Sequence, residues 1–148
     1  LQYGAAKVYS VDVGYGQFDW SLRQDPRVVV IERTNIRHMP FEAVNEQVDL
    51  IVADTSFISL KKVIPSAEQF MREDTLVLAL IKPQFEAGKD KIQKGGVVKD
   101  PKVRQDVIDD IRLFFETRGY LVNRVIPSPI RGPKGNEEYI ISLNYRKK

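Results

Sequence analysis

The sequence predicts an α/β protein built on a mostly parallel sheet that finishes with an antiparallel strand. Three observations predict it. Apolar runs at VVVIE (28–32), VDLIVA (48–53) and TLVLALI (75–81) are nearly unbroken rather than alternating, the pattern of strands buried on both faces of a parallel sheet. Helix-type spacing lies between and after them, strongest from Asp100 to Gly119. The last two apolar segments, Tyr120 to Ile126 and Glu138 to Tyr145, flank a proline- and glycine-rich turn, which suits an antiparallel pair.

In chain order, KVYSVDV (7–13) reads as a strand closed by Asp12. Gly14 and Gly16 supply turns, but a G-x-G-x-x-G phosphate loop is not completed because position 19 is Asp. Phe18 to Gln24 predicts a short helix that Asp25-Pro26 breaks. Four consecutive β-branched residues from Val28 then make a strand whose exit loop carries Thr34 and Asn35. After the Val48–Ala53 strand, Ser59 caps a helix through Leu60, Val63 and Ile64, and Pro65 kinks or ends it. The strand TLVLALI ends in Lys82. KDKIQKGGVV (89–98) has charge, two glycines and no period, and reads as a mobile loop beside the strand ends. The next helix has Asp100 as its N-cap, Pro101 in its first turn, an apolar stripe of Val103, Val107, Ile111 and Phe114, and Gly119 as its stop.

Composition narrows the function classes. At 148 residues, 43% hydrophobic and 29% charged, the chain fits one soluble globular domain with a real core, and no linker or repeat divides it. A net charge of +3 favours anionic partners. With no cysteine and a single histidine, His38, there is no disulfide framework, thiolate site or multi-histidine metal site; no metal is expected. The longest clean apolar run, Leu76 to Ile81, is six residues, against the roughly 20 needed to span a bilayer. The opening LQYGAAKVYSVD has neither the charged nor the apolar region of a signal peptide, so a cytoplasmic protein is expected.

Candidate chemistry gathers at strand ends, where loops are polar and the strands beneath hold them rigidly. Asp54 and Lys82 each end an apolar strand, and Glu138 begins one that runs back from the loop side. A lysine between carboxylates at one sheet edge serves either as an ion-pair support or to orient a weakly acidic hydroxyl. Asp12 likewise reads either as a solvated turn acid or as an acceptor for vicinal ribose hydroxyls. Lys89, Lys91 and Lys94 read as a solvated face or as phosphate contacts.

The segments VDVGYGQ, RTNIRHM, ADTSFISL, LIKPQFEAGK, GGVVKDP and SPIRGPKGNEEYI, in this order, resemble the FtsJ-like methyltransferase domain of the TlyA, or hemolysin A, family of ribosomal RNA 2′-O-methyltransferases. The resemblance covers the whole chain. It implies a Rossmann-like S-adenosylmethionine-dependent methyltransferase fold, with S-adenosyl-L-methionine as cofactor and ribosomal RNA or ribosomal subunits as partners, and no membrane. Of the family's Lys-Asp-Lys-Glu tetrad, Asp54 matches the Asp, Lys82 the second Lys and Glu138 the Glu, with Glu137 as its nearest rival. The resemblance also assigns Asp12, Asn35 and Asp54 to the cofactor. Lys61, Lys62, Lys89, Arg131, Lys134 and the tail Arg146-Lys147-Lys148 become candidates to track RNA phosphates. The family's first lysine, its glycine-rich first motif and first strand, and an S4 RNA-binding domain are expected upstream of Leu1. The chain is accordingly expected to be the C-terminal part of the methyltransferase domain. Two further readings stand beside this one: a non-catalytic RNA-binding module on the same fold, and a membrane-lytic protein, which the lack of a spanning segment disfavours.

Overall fold

The computed structural model describes residues 1–12 and 19–147 of the chain. The turn glycines Gly14 and Gly16, Phe18 of the expected helix and Lys148 of the tail lie outside the described residues. The chain divides into two compact units, Leu1–Glu46 and Gln47–Lys148, a division that no linker composition announces.

In the first unit, β1 (Val8–Val11) and β2 (Val28–Ile31) form a two-stranded parallel sheet in register from Val8 opposite Val28 to Val11 opposite Ile31. A parallel pair needs a crossover, and α1 (Trp20–Arg23) lies in it. Asp19 starts that helix, its Oδ1 accepting the Ser21 amide at 2.8 Å. Asp25 ends the crossover; hydrogen bonds from the Arg27 side chain and amide hold its carboxyl down at about 2. The residues of β2 are half-buried rather than buried on both faces as expected, because in a two-stranded sheet each strand is an edge.

The second unit holds a four-stranded sheet in the order β3 (Val48–Ala53), β4 (Met71–Ile81), β6 (Tyr139–Asn144), β5 (Leu121–Pro127). β3 and β4 are parallel, and β6 runs antiparallel to both of its neighbours, as expected of the final strand. One face of the sheet carries Val77, Ala79 and Ile81 of β4 and Ile141 and Leu143 of β6, all buried. Leu60, Val63 and Ile64 of α2 (Leu60–Ser66) join this core, as do Val107, Ile108, Ile111 and Phe115 of α4 (Pro101–Thr117).

Both helices begin as their sequences dictate. The Ser59 hydroxyl accepts the Lys61 amide and Asp100 Oδ1 accepts the Lys102 amide. Pro65 sits in the last turn of α2, which stops one residue later, and Gly119 takes φ +100 beyond α4. Phe115, fully buried, replaces the half-buried Phe114 as the aromatic that α4 commits to the core. It meets Tyr120 edge-on at 5.2 Å between ring centroids.

Two expectations for the strands are corrected. The run VDLIVA predicts burial on both faces of β3, yet Leu50 and Val52 are 50% and 70% exposed. Among the described residues β3 is one of the sheet's two edge strands, and the helices of this unit cover the opposite face. β4 begins four residues before the expected Thr75, at Met71, although REDT has no strand pattern. Long-range pairing imposes it: Met71 registers with Val48, and the Asp74 amide donates to the Tyr145 carbonyl at 2.9 Å. Buried Thr75 stitches the irregular register there, its hydroxyl donating to the Val48 carbonyl and accepting the Arg72 amide.

Removing the Phe115 ring should cost about 3–5 kcal/mol in urea unfolding for Phe115→Ala, whereas Leu113→Ala, on the exposed face of α4, should stay within about 0.5 kcal/mol. Equal losses would contradict the orientation of α4.

Candidate functional site

Three charged residues leave neighbouring strands at one end of the four-stranded sheet. Lys82 follows Ile81, the last residue of β4, and Glu138 precedes Tyr139, the first of β6; Ile81 and Tyr139 are register partners. Asp54 follows Ala53, the last residue of the parallel strand β3.

Lys82 Nζ lies 2.5 Å from Asp54 Oδ1 and 3.4 Å from Ser56 Oγ. The lysine side chain is only 12% exposed and that of Asp54 65%. The aliphatic stem is thus buried while the ammonium reaches a wet carboxylate. Lys82 is also the N-cap residue of α3 (Pro83–Glu86), a turn not foreseen from the sequence, with Pro83 fully buried at its start.

Glu138 is buried, and its hydrogen-bonding partner is Gln84: Gln84 Nε2 donates to Glu138 Oε2 at 2.9 Å. The expectation that Lys82 is held by both acids is therefore met by Asp54 and corrected for Glu138. The helical turn after Lys82 brings the Gln84 amide, two residues on, to the carboxylate. Glu137 faces elsewhere, 3.3 Å from Arg104 and 3.7 Å from Arg131.

The loops around these residues are pinned. Asn136 is buried; its Oδ1 accepts the Val98 amide at 3.0 Å, and its Nδ2 donates to the carbonyls of Gly96 and Pro133. Residues 89–98 are consequently not a free loop. They form a 3-10 turn over Lys89–Lys91 and a bridge between Gln93 and Val97, around which Gly95 and Gly96 take φ of +89 and +78.

Glu86 in α3 reaches across to α2, where its Oε2 accepts the Leu60 amide at 2.9 Å. It thereby ties the loop that follows Asp54 to the turn that follows Lys82. Burial pushes the Glu86 carboxyl above its ordinary value, against the opposing hydrogen bonds from Ser59 and Leu60.

Phe57 escaped the sequence reading. It lies in the loop after Asp54 at φ +63, is 88% exposed, and its ring tilts against Phe85 at 4.8 Å between centroids. An aromatic held exposed at a left-handed backbone position beside an ion pair is a functional candidate; only its place in the polar loop could have signalled it. In the same loop, the buried Thr55 hydroxyl has no hydrogen-bond partner among the described residues.

The expected cofactor residues of the first unit stand beyond its strands. Asp12 follows β1, its side chain exposed, its amide donating to the Ile31 carbonyl and its carbonyl accepting from Thr34. Asn35 uses its Oδ1 to accept the Arg37 amide at 3.0 Å, capping the 3-10 turn Ile36–His38. Among the expected phosphate contacts, Lys62, Lys89, Arg131 and Lys134 are exposed. Lys61 is ion-paired with Asp110, and Arg146 with Glu73 and Asp74, so these two cations are engaged within the protein.

The FtsJ-like methyltransferase family model matches residues 1–145. The 16S/23S rRNA (cytidine-2′-O)-methyltransferase TlyA of Mycobacterium tuberculosis is 48% identical over 143 residues, 97% of this chain and 53% of that protein. Hemolysin A of Brachyspira hyodysenteriae is 40% identical over 142 residues, 95% of this chain and 59% of the relative. A solved structure from Streptococcus thermophilus that carries a hemolysin name superposes with a TM-score of 0.94 at 36% identity, over 99% of this chain and 54% of the other. The chain thus spans little more than half the length of these relatives. No helix among the described residues is long and apolar enough to cross a membrane.

The raised Glu86 value sets a sign. From its ordinary value of 4.5 upward to its raised folded value, the folded state binds more protons than the unfolded one, so stability falls as pH rises through that window. In thermal melts, Glu86→Gln should gain on the wild type as pH climbs from 4.5 and then keep a constant lead, while Glu86→Ala, which leaves the Leu60 amide uncapped, should lose about 1 kcal/mol. Parallel wild-type and Gln curves would contradict a raised value.

Proposed function

Because the chain belongs to the FtsJ-like methyltransferase family, we propose that it forms part of a cytoplasmic enzyme that methylates a ribose 2′-hydroxyl of ribosomal RNA from S-adenosylmethionine. The observation that carries this reading is the Lys82–Asp54 ion pair at the polar end of β3 and β4. Lys82 hydrogen-bonds the incoming hydroxyl and holds its oxygen for attack while the hydroxyl proton is released to water, and Asp54 keeps the ammonium aimed. Buried Glu138, on the neighbouring strand, adds negative potential to the same end of the sheet. S-adenosylmethionine, when bound, supplies a methyl group already activated by a positive sulfur. Much of the acceleration therefore comes from orientation.

The residues present suit such a cofactor by their chemistry. In the first unit Asp12 carries a carboxylate, the group that accepts from vicinal ribose hydroxyls, and Asn35 retains an amide nitrogen suited to adenine; in the second unit, taken by itself, the Thr55 hydroxyl next to Asp54 has no hydrogen-bond partner among the described residues. The exposure of Lys62, Lys89, Arg131 and Lys134 supports their reading as phosphate contacts, while Lys61, paired with Asp110, contributes less. Exposed Phe57 offers a stacking surface to an unpaired base. The name of the M. tuberculosis relative makes cytidine the first nucleotide to test.

The test uses the protein that carries this chain, radiolabelled S-adenosylmethionine and ribosomal subunits. Lys82→Ala should lower methyl transfer by about 100-fold or more, with an unchanged melting curve and retained RNA binding. Full transfer by that variant would remove Lys82 from the mechanism. A wild type that binds RNA without transferring methyl groups would favour a non-catalytic RNA-binding module, and release of dye from liposomes would favour a lytic protein.

A further inference from the structure

Gln84 is 7% exposed, and so is Glu138. Its Nε2 donates to the Glu138 carboxylate, while its Oε1 is buried with no hydrogen-bond partner among the described residues. Gln84 thus leaves one buried acceptor of its own unsatisfied while it satisfies the buried carboxylate, a polar arrangement that a side chain retained only to fill space would not need. The carboxylate is confined from a second side. An ideal Cβ on Gly132 would lie 2.6 Å from Glu138 Cδ, so no other residue fits there without displacing the acid. Gly132 has φ −78, an ordinary value, so the glycine answers to lack of space and not to backbone conformation. The Gly132 amide in turn donates to the Asn136 carbonyl at 2.8 Å, and Asn136 is pinned to Gly96, Val98 and Pro133. On the other side, fully buried Pro83 separates Gln84 from Lys82 by a single residue, so whatever fixes the amide also relates Glu138 to the lysine.

We infer that Gln84 is a positioning residue, with Gly132 as its counterpart, that sets the Glu138 carboxylate in one orientation relative to Lys82. The inference rests on the methyl-transfer reading above. The two acids then have separate roles, in which Asp54, exposed, aims the ammonium directly, and Glu138, buried and clamped, provides a fixed charge whose place Gln84 decides.

The experiment is a double-mutant cycle in methyl transfer by the protein that carries this chain, with ribosomal subunits as substrate. Gln84→Met should lower kcat about 10- to 100-fold, with KM for RNA and for S-adenosylmethionine within about twofold of the wild type. Its thermal midpoint should fall, because the buried Glu138 carboxylate loses the donor that Gln84 supplies, and the fall should be smaller in the Glu138→Ala background. In a Glu138→Ala background the same substitution should produce no further loss, because Gln84 acts through the carboxylate. Gly132→Ala crowds the acid from the opposite side and should show the same pattern; it decides the matter alone if Gln84→Met does not fold. A kcat loss of equal size with and without Glu138, or an unchanged kcat in both variants, overturns the inference while leaving methyl transfer standing. A wild type that transfers no methyl group overturns both, and that failure appears before any substitution is made.

Discussion

The antiparallel ladder between β4 and β6 runs from Leu76 opposite Asn144 to Ile81 opposite Tyr139, and its register is held by what lies beneath it. Val77, Ala79 and Ile81 on one strand and Ile141 and Leu143 on the other point into the core of this unit. Slipping β6 by one residue would turn Ile141 and Leu143 to the opposite face and bring Ser142 and Asn144 inward. Burial therefore dictates that Ile81 meets Tyr139, and from that single pairing Lys82 and Glu138 emerge side by side. The parallel pairing of β3 with β4, ending at Ala53 opposite Ala79, delivers Asp54 to the same end.

The polar residues at that end differ in how they are supported. Asp54 remains in water and holds Lys82 by charge, an interaction that salt screens. Glu138 has left water and is held by an amide, by a glycine that leaves it just enough room, and by a turn that Asn136 fastens to residues 96–98. An ionised carboxylate in such surroundings is tolerable only with a donor in place, which gives Gln84 its importance. Glu86 adds a third tie, between the loop after β3 and the turn after β4, so that the two halves of the ion pair share a common support.

Net charge alone is a poor guide to which cations face a partner. Lys61 and Arg146 spend their charge on Asp110, Glu73 and Asp74, and Arg104 on Glu137 and the carbonyls of Val98 and Lys99. Lys62, Lys89 and Lys134 remain exposed, and Arg131, 68% exposed, keeps only a long contact with Glu137. An RNA-facing surface composed this way would bind by a few contacts and weaken as salt rises.

Local chemistry written in neighbouring residues was enough to determine α4, because Asp100, Pro101, the apolar stripe and Gly119 act within one or two turns of each other. It was enough too for the positions of β3, the apolar part of β4, and β6, and so for the gathering of Asp54, Lys82 and Glu138 at one sheet edge. What the tertiary structure alone decided depends on partners distant in the chain. REDT becomes strand because Val48 and Tyr145 pair with it, Leu50 and Val52 are exposed because the helices that pack on this sheet cover its other face, and residues 89–98 are fastened because Asn136, some forty residues on, reaches them. Glu138 takes Gln84 rather than Lys82 across a separation of 54 residues. Sequence spacing carries the periodicity of an element and the chemistry at its ends; which buried donor reaches which buried acceptor is settled only when the elements pack.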